Sequence, residues 1–197
     1  MGDHSSAIWM HLRGLPKEIL VNPTWDQIVD RDPLIAFSWY LSGRKNVLLS
    51  MGEEIIDNLD QAFSGTVIDG ALTDRAESLM WLWTLGAYEV VRTMCQAKMC
   101  FSERVLDELT QLKQKLSAVR MPAAKMEKPG KKQPVTSDRS PSEWDIRNHD
   151  LFLSDPESTS RLSARFILAE FDRVFSSINR TDVLGHHADS YFGDGSS

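Results

Sequence analysis

Cysteine is almost missing from this chain. Cys95 and Cys100 are the only two in 197 residues, and the four residues between them do not make the CxxC spacing of redox or zinc sites. They are expected as reduced thiols packed near a helix end. A long apolar run is missing too. The densest stretch, MWLWTLGAYEVVRTM from Met80 to Met94, is interrupted by Glu89 and Arg92, well short of the roughly 20 residues that span a bilayer. No apolar signal-type stretch follows the N-terminus, so the expected setting is the cytoplasm, without a membrane partner.

Positive charge is in deficit. The 22 basic and 28 acidic side chains leave a net charge of -6, which disfavours generic attraction to nucleic acid. No GxSxG elbow, P-loop, GxGxxG or HExxH occurs, and no ExxH that would supply a dinuclear carboxylate site. Neither a metal nor a cofactor is expected. The opening MGDHSS fits the loose N-myristoylation pattern through Gly2 and Ser6, without the basic patch or nearby Cys that stable anchoring requires.

What the chain does have is helical periodicity. The 42% hydrophobic and 25% charged content is ordinary globular usage, and 197 residues can bury roughly 70% of the unfolded chain's surface. Asp32 and Pro33 open a first long helix, about 32 to 63, carrying Leu34, Phe37, Leu41, Leu48, Ile55, Leu59 and Ala62 on one face. Gly43 and Gly52 interrupt it, so a kink is allowed near Arg44. Its outer face bears Glu53, Glu54, Asp57 and Asp60 and reads as solvated, while Trp39 and Tyr40 fall off the main stripe as interface candidates.

A second helix, about 74 to 98 with Thr73 as cap, is apolar around most of its circumference, the pattern of a central helix. A third, about 103 to 120, carries Val105, Leu109, Leu112, Leu116 and Val119 at 4-3-4-3 spacing and stops at Pro122. A fourth, about 157 to 179, aligns Ala164, Ile167, Phe171, Val174, Phe175 and Ile178, with Asp155 and Pro156 at its start. The expected fold is therefore all-α. It is a bundle of four long helices with an N-terminal packing segment (1 to 31), a long irregular connection (about 121 to 155) and a disordered tail (180 to 197). The second half of the connection, with Trp144, Ile146, Leu151, Phe152 and Leu153, is expected to dock on the bundle.

Four candidate sites stand out. Tyr88, Glu89 and Arg92 lie together on the central helix. If that face is buried, Glu89 and Arg92 form an internal ion pair whose rupture costs about 3 to 5 kcal/mol, or the floor of a polar binding site. The segment from Arg120 to Lys132 holds Arg120, Lys125, Lys128, Lys131 and Lys132 against one acid, a local +4 that could meet phosphates but lacks interleaved aromatics for stacking bases. His149, in WDIRNHDLF, could serve as a general base beside Asp145 or Asp150. The adjacent His186 and His187 are weak evidence for a metal, because neighbouring rings diverge.

Arg180 and His186 have the RxxxxxH spacing and so resemble the motif of HEPN ribonucleases, helical bundles in which an Arg and a His assist RNA cleavage. The resemblance covers that spacing alone. In the family the motif sits near a helix start facing a dimer cleft, whereas Gly185 here follows the fourth helix's expected end. The leading expectation is a non-enzymatic, self-associating interaction or regulatory protein, with a homo-oligomeric or other protein partner. The alternative is an RNA-binding or RNA-cleaving HEPN-like helical protein.

Overall fold

Side-chain caps set the boundaries of most of the helices, and they move several expected ones. The computed structural model of the chain describes residues 22–125, 127, 133–134, 142–153 and 161–188. Gly2 and Ser6, most of the N-terminal packing segment, Lys128, Lys131, Lys132, Asp155 and Pro156 lie outside them. Thr24 opens α1 (Trp25–Arg31) with a capping box: its hydroxyl accepts the Gln27 N–H at 3.3 Å, and its own N–H donates to Gln27 Oε1 at 3.0 Å. α2 (Leu34–Phe37) is one turn long.

The expected continuous first helix breaks at Ser38. There the backbone is extended (φ -165, ψ 120), and the hydroxyl accepts the Leu41 N–H to start α3 (Trp39–Ala62). The apolar stripe survives the break because Leu34 and Phe37 still pack with Leu41 in the same core. Periodicity therefore hid it. α3 runs unbroken through Gly43, Arg44 and Gly52.

Asp69 caps α4 (Gly70–Gln96) with Oδ1 accepting from the Ala71 and Leu72 N–H groups, four residues before the expected Thr73. Trp83 is its anchor. The indole N–H donates to the Leu48 carbonyl at 3.0 Å, and the ring meets Phe171 edge-on at 5.2 Å. Gly52 suits this close crossing, since a Cβ there would sit 3.2 Å from the Leu168 side chain, which would have to shift, and 3.7 Å from the Trp83 nitrogen. The helix is not buried on every side: Met80, Trp83, Ala87, Val91 and Met94 are buried, but Trp81, Leu82 and Glu89 face outward.

α5 (Glu103–Lys125) passes its expected stop, with Pro122 inside the helix and buried. Proline supplies no N–H to the helix ladder at this point, and the last turn is also held from outside, where the Trp81 indole N–H donates to the Ala123 carbonyl at 3.0 Å. α6 (Ala164–Ser176) is shorter than expected, since Ser163 caps it through the Phe166 N–H. Three of the helices exceed 20 residues, at 24, 27 and 23, and α6 has 13, so the expected four long helices become three and a shorter one.

The connection expected as irregular holds two strands of a small antiparallel sheet, β1 (Ser142–Asp145) and β2 (Asp150–Leu153), and the third, β3 (Leu162–Ser163), falls where the fourth helix was expected, the strand order being β1, β2, β3. The fold is mostly helical rather than purely so. Strands of four, four and two residues are too short to show a period of two. Trp144 pairs with Leu151 and Ser142 with Leu153, and Leu151 and Leu153 enter the core beside α6. Trp144 and Ile146 stay largely exposed. Among the described residues no helix is long and apolar enough to cross a membrane.

Arg180 to Ala188, expected as disordered tail, is instead a strap along the start of α5. Ser102 N–H donates to the Asp182 carbonyl and Leu184 N–H to the Cys100 carbonyl, both at 2.9 Å, and Phe101 bridges Val183. Asp182 is buried. Burial alone would raise its pKa, but hydrogen bonds from the Ser102 hydroxyl, the Asn179 N–H and Arg104 outweigh it and hold the carboxyl down at about 2, from 3.8. A depressed acid contributes its stability above its unfolded pKa and loses it as pH falls through the folded one.

The Asp182 contribution, on the order of 1 kcal/mol after discounting for solvent screening, should therefore be complete above pH 4 and vanish between about 4 and 2. Urea unfolding of the wild type and Asp182→Asn across that range checks it. A stability difference that does not shrink on acidification contradicts the assignment.

Candidate functional site

Glu89 and Arg92 do come together, but at the surface, while Tyr88 beside them is partly buried against the core. Arg92 Nε donates to Glu89 Oε2 at 2.7 Å, with the side chains 41% and 47% exposed, and Arg92 also donates to Gln96 Oε1 at 3.1 Å. The expected burial is corrected: α4 is covered chiefly by α3 and α5, and this arc remains open. Such a pair is worth under about 1 kcal/mol. α5 adds a residue from the basic segment. The Arg120 guanidinium lies over the Tyr88 ring at 4.6 Å and approaches Glu89 Oε1 at 3.6 Å, so one carboxylate sits between two guanidinium groups. The geometry is that of an ion cluster tying α5 to α4. Of the remaining basic residues, Lys125 is exposed at the end of α5.

The other candidates are occupied by structural bonds. His149 lies flat on Phe63, with centroids 5.0 Å apart and planes at 2°, and takes a left-handed φ of 53 at the end of the β1–β2 turn. The two proposed partners are engaged in the local fold. Asp145 accepts from Asn148 N and Nδ2 at 3.2 and 2.7 Å, and Asp150 accepts from the Leu151 N–H at 2.8 Å and from the Ser163 hydroxyl.

Arg180 donates to Asp26 at 2.6 Å and to Asp30 at 3.4 Å, pinning the strap to α1, while His186 Nδ1 accepts the Ala188 N–H at 3.1 Å. His187 meets Phe37 edge-on at 5.3 Å. Both cysteines are buried, and the Cys100 thiol donates to the His186 carbonyl. Burial pushes the Cys95 thiol pKa up against the opposing pull of Lys113, Thr110 and Lys98, which disfavours the reactive thiolate. Among the described residues no group of three His, Cys, Asp or Glu side chains could hold a metal ion.

One feature faces solvent with its chemistry on display. Trp25, Trp39 and Tyr40 are 52%, 45% and 69% exposed and form an aromatic corner where α1 meets the start of α3. The two indoles stand 6.3 Å apart at 50°. Arg44, one turn beyond Tyr40, stacks on the phenol at 4.8 Å and donates to its oxygen at 2.6 Å. Trp39 and Tyr40 follow the extended residue at Ser38 as the first two residues of α3, off the stripe that Leu34, Phe37 and Leu41 bury, and so face outward. No protein-family model, no curated protein and no solved structure matches this chain. The corner's own chemistry is therefore the basis for a functional reading.

Sequence reasoning found Trp39 and Tyr40 because they fall off the stripe. It missed Trp25, which was counted among packing residues, and Arg44, for which the spacing of four from Tyr40 was the available signal.

Proposed function

We propose that the chain is a cytoplasmic interaction protein, built on a bundle of α3, α4, α5 and α6, that works by association rather than by chemistry and assembles with itself. The observation that carries this reading is the aromatic corner. Two Trp, one Tyr and one Arg in a single exposed group are the residue types that dominate the central energetics of protein interfaces, where each buries a large area at little cost in side-chain freedom. Exposing such a group in a monomer has a solubility cost that a partner surface removes.

Sedimentation velocity and acrylamide quenching of tryptophan, followed over the micromolar range, test the reading. Association should rise with concentration as quenching falls, and both changes should weaken in the Trp39→Ser, Tyr40→Ser double variant. A chain that stays monomeric with constant quenching overturns it.

A further inference from the structure

The aromatic corner continues into a seam. Along α3, Tyr40, Arg44, Val47, Met51 and Glu54 follow one another at 4-3-4-3 spacing, the pattern of helices that pack side by side; Tyr40, Arg44 and Val47 are exposed, Glu54 is about half-exposed, and Met51 is partly buried against the core. Val47, at its middle, is 54% exposed. The seam is charged at its two ends with opposite sign, Arg44 towards the N-terminus and Glu54 towards the C-terminus, and apolar between them. Packed parallel against a copy of itself it would set like charges in register. Packed antiparallel it meets its complement twice, which is the self-complementarity a two-fold interface needs.

Gly43 is the second observation. A glycine inside a helix costs up to about 1 kcal/mol relative to alanine, and a close neighbour usually accounts for it. At Gly52 and Gly86 that neighbour is present, since a Cβ would lie 3.2 Å from Leu168 and 3.0 Å from Leu48. At Gly43 a Cβ would meet nothing within 4 Å. Together with Ser50, one heptad on, Gly43 keeps the flank of the seam low enough for another backbone to come close.

We infer that the occupant of this face is a second copy of the chain, with its α3 antiparallel, Arg44 against the partner's Glu54 and Val47 against the partner's Met51 about a two-fold axis that passes between Val47 and Met51. The inference rests on the self-association proposed above and adds the partner, the helix and the register. In this arrangement Glu54 keeps its exposed contact with Arg75 on α4 through Oε1.

A charge swap tests it on the full-length chain, with circular dichroism to verify folding. Arg44→Glu alone places two pairs of acids across the axis, and Glu54→Arg alone places two pairs of bases. Each variant should dimerise on the order of 100-fold more weakly than the wild type. Mixed in equal amounts, the two should recover a one-to-one heterodimer of wild-type affinity, because every pair then has opposite sign. Val47→Glu, at an exposed position with little bearing on the fold, should be monomeric. If the wild type associates but the single variants associate equally well, or the mixture recovers nothing, the antiparallel α3 seam is wrong while self-association stands. A wild type that is monomeric throughout overturns both.

Discussion

Trp83→Ala should lose about 3 to 5 kcal/mol of stability, a large share of the 5 to 15 kcal/mol that folded domains possess. The indole is almost wholly buried where α3, α4 and α6 cross, against Phe171 and beside Gly52. Truncation removes its transfer energy and leaves a cavity that two helices would have to collapse to fill. It also removes the N–H that the Leu48 carbonyl accepts. Trp81, two residues away, provides the internal control. It is about half exposed and makes one hydrogen bond, to Ala123, so Trp81→Ala should cost only about 1 kcal/mol, with fraying at the end of α5. Urea midpoints followed by circular dichroism separate the two. Equal losses would mean that Trp83 is not the anchor of the core.

The contrast between neighbouring tryptophans marks what was legible in the sequence. Stripes such as Val105, Leu109, Leu112, Leu116 and Val119 identified the buried face of α5, because burial on one side repeats every three or four residues. Stripes cannot say how far neighbours wrap a helix. Around α4 the apolar residues suggested burial on every side, yet Trp81, Leu82 and Glu89 point outward, and the expected internal ion pair became a surface cluster. Its third charge, Arg120, comes from 31 residues along the chain, a tertiary meeting that local spacing cannot announce.

Boundaries failed for a related reason. Ser38, Asp69 and Ser163 each displaced an expected start, because a hydroxyl or carboxylate that captures a free N–H decides where a helix begins, and several such residues compete in any loop. The exposure of Trp39 and Tyr40 was the exception among site residues. They broke the stripe, and they are exposed.

Asp32→Ala should match Trp83→Ala in its effect, for an electrostatic reason. The buried Asp32 carboxylate accepts on Oδ2 from the Ser42 hydroxyl at 2.5 Å, the Lys45 ammonium at 2.8 Å and Asn46 Nδ2 at 3.4 Å, while Oδ1 takes the Leu34 N–H at 3.2 Å. Ser42 and Asn46 are buried, and the Lys45 side chain is mostly covered. Removing the acid strands a sheltered cation and several donors together, a loss of about 3 to 5 kcal/mol. Lys45→Met removes the cation but leaves the carboxylate its hydroxyl, amide and backbone donors, so it should cost less, and adding it to Asp32→Ala should recover part of the loss.

A double-mutant cycle by urea unfolding reads this directly. Additive losses would show that Asp32 and Lys45 are not coupled. Asp32 closes α1 with its backbone N–H, which donates to the Ile28 carbonyl, while its carboxylate takes the first N–H of α2 and reaches into α3, so this one residue fixes the angle at which the chain turns through Ser38. A variant that loosens this hub should therefore weaken the proposed self-association before it unfolds, because the turn it releases is the one that sets the exposed positions of Trp39 and Tyr40.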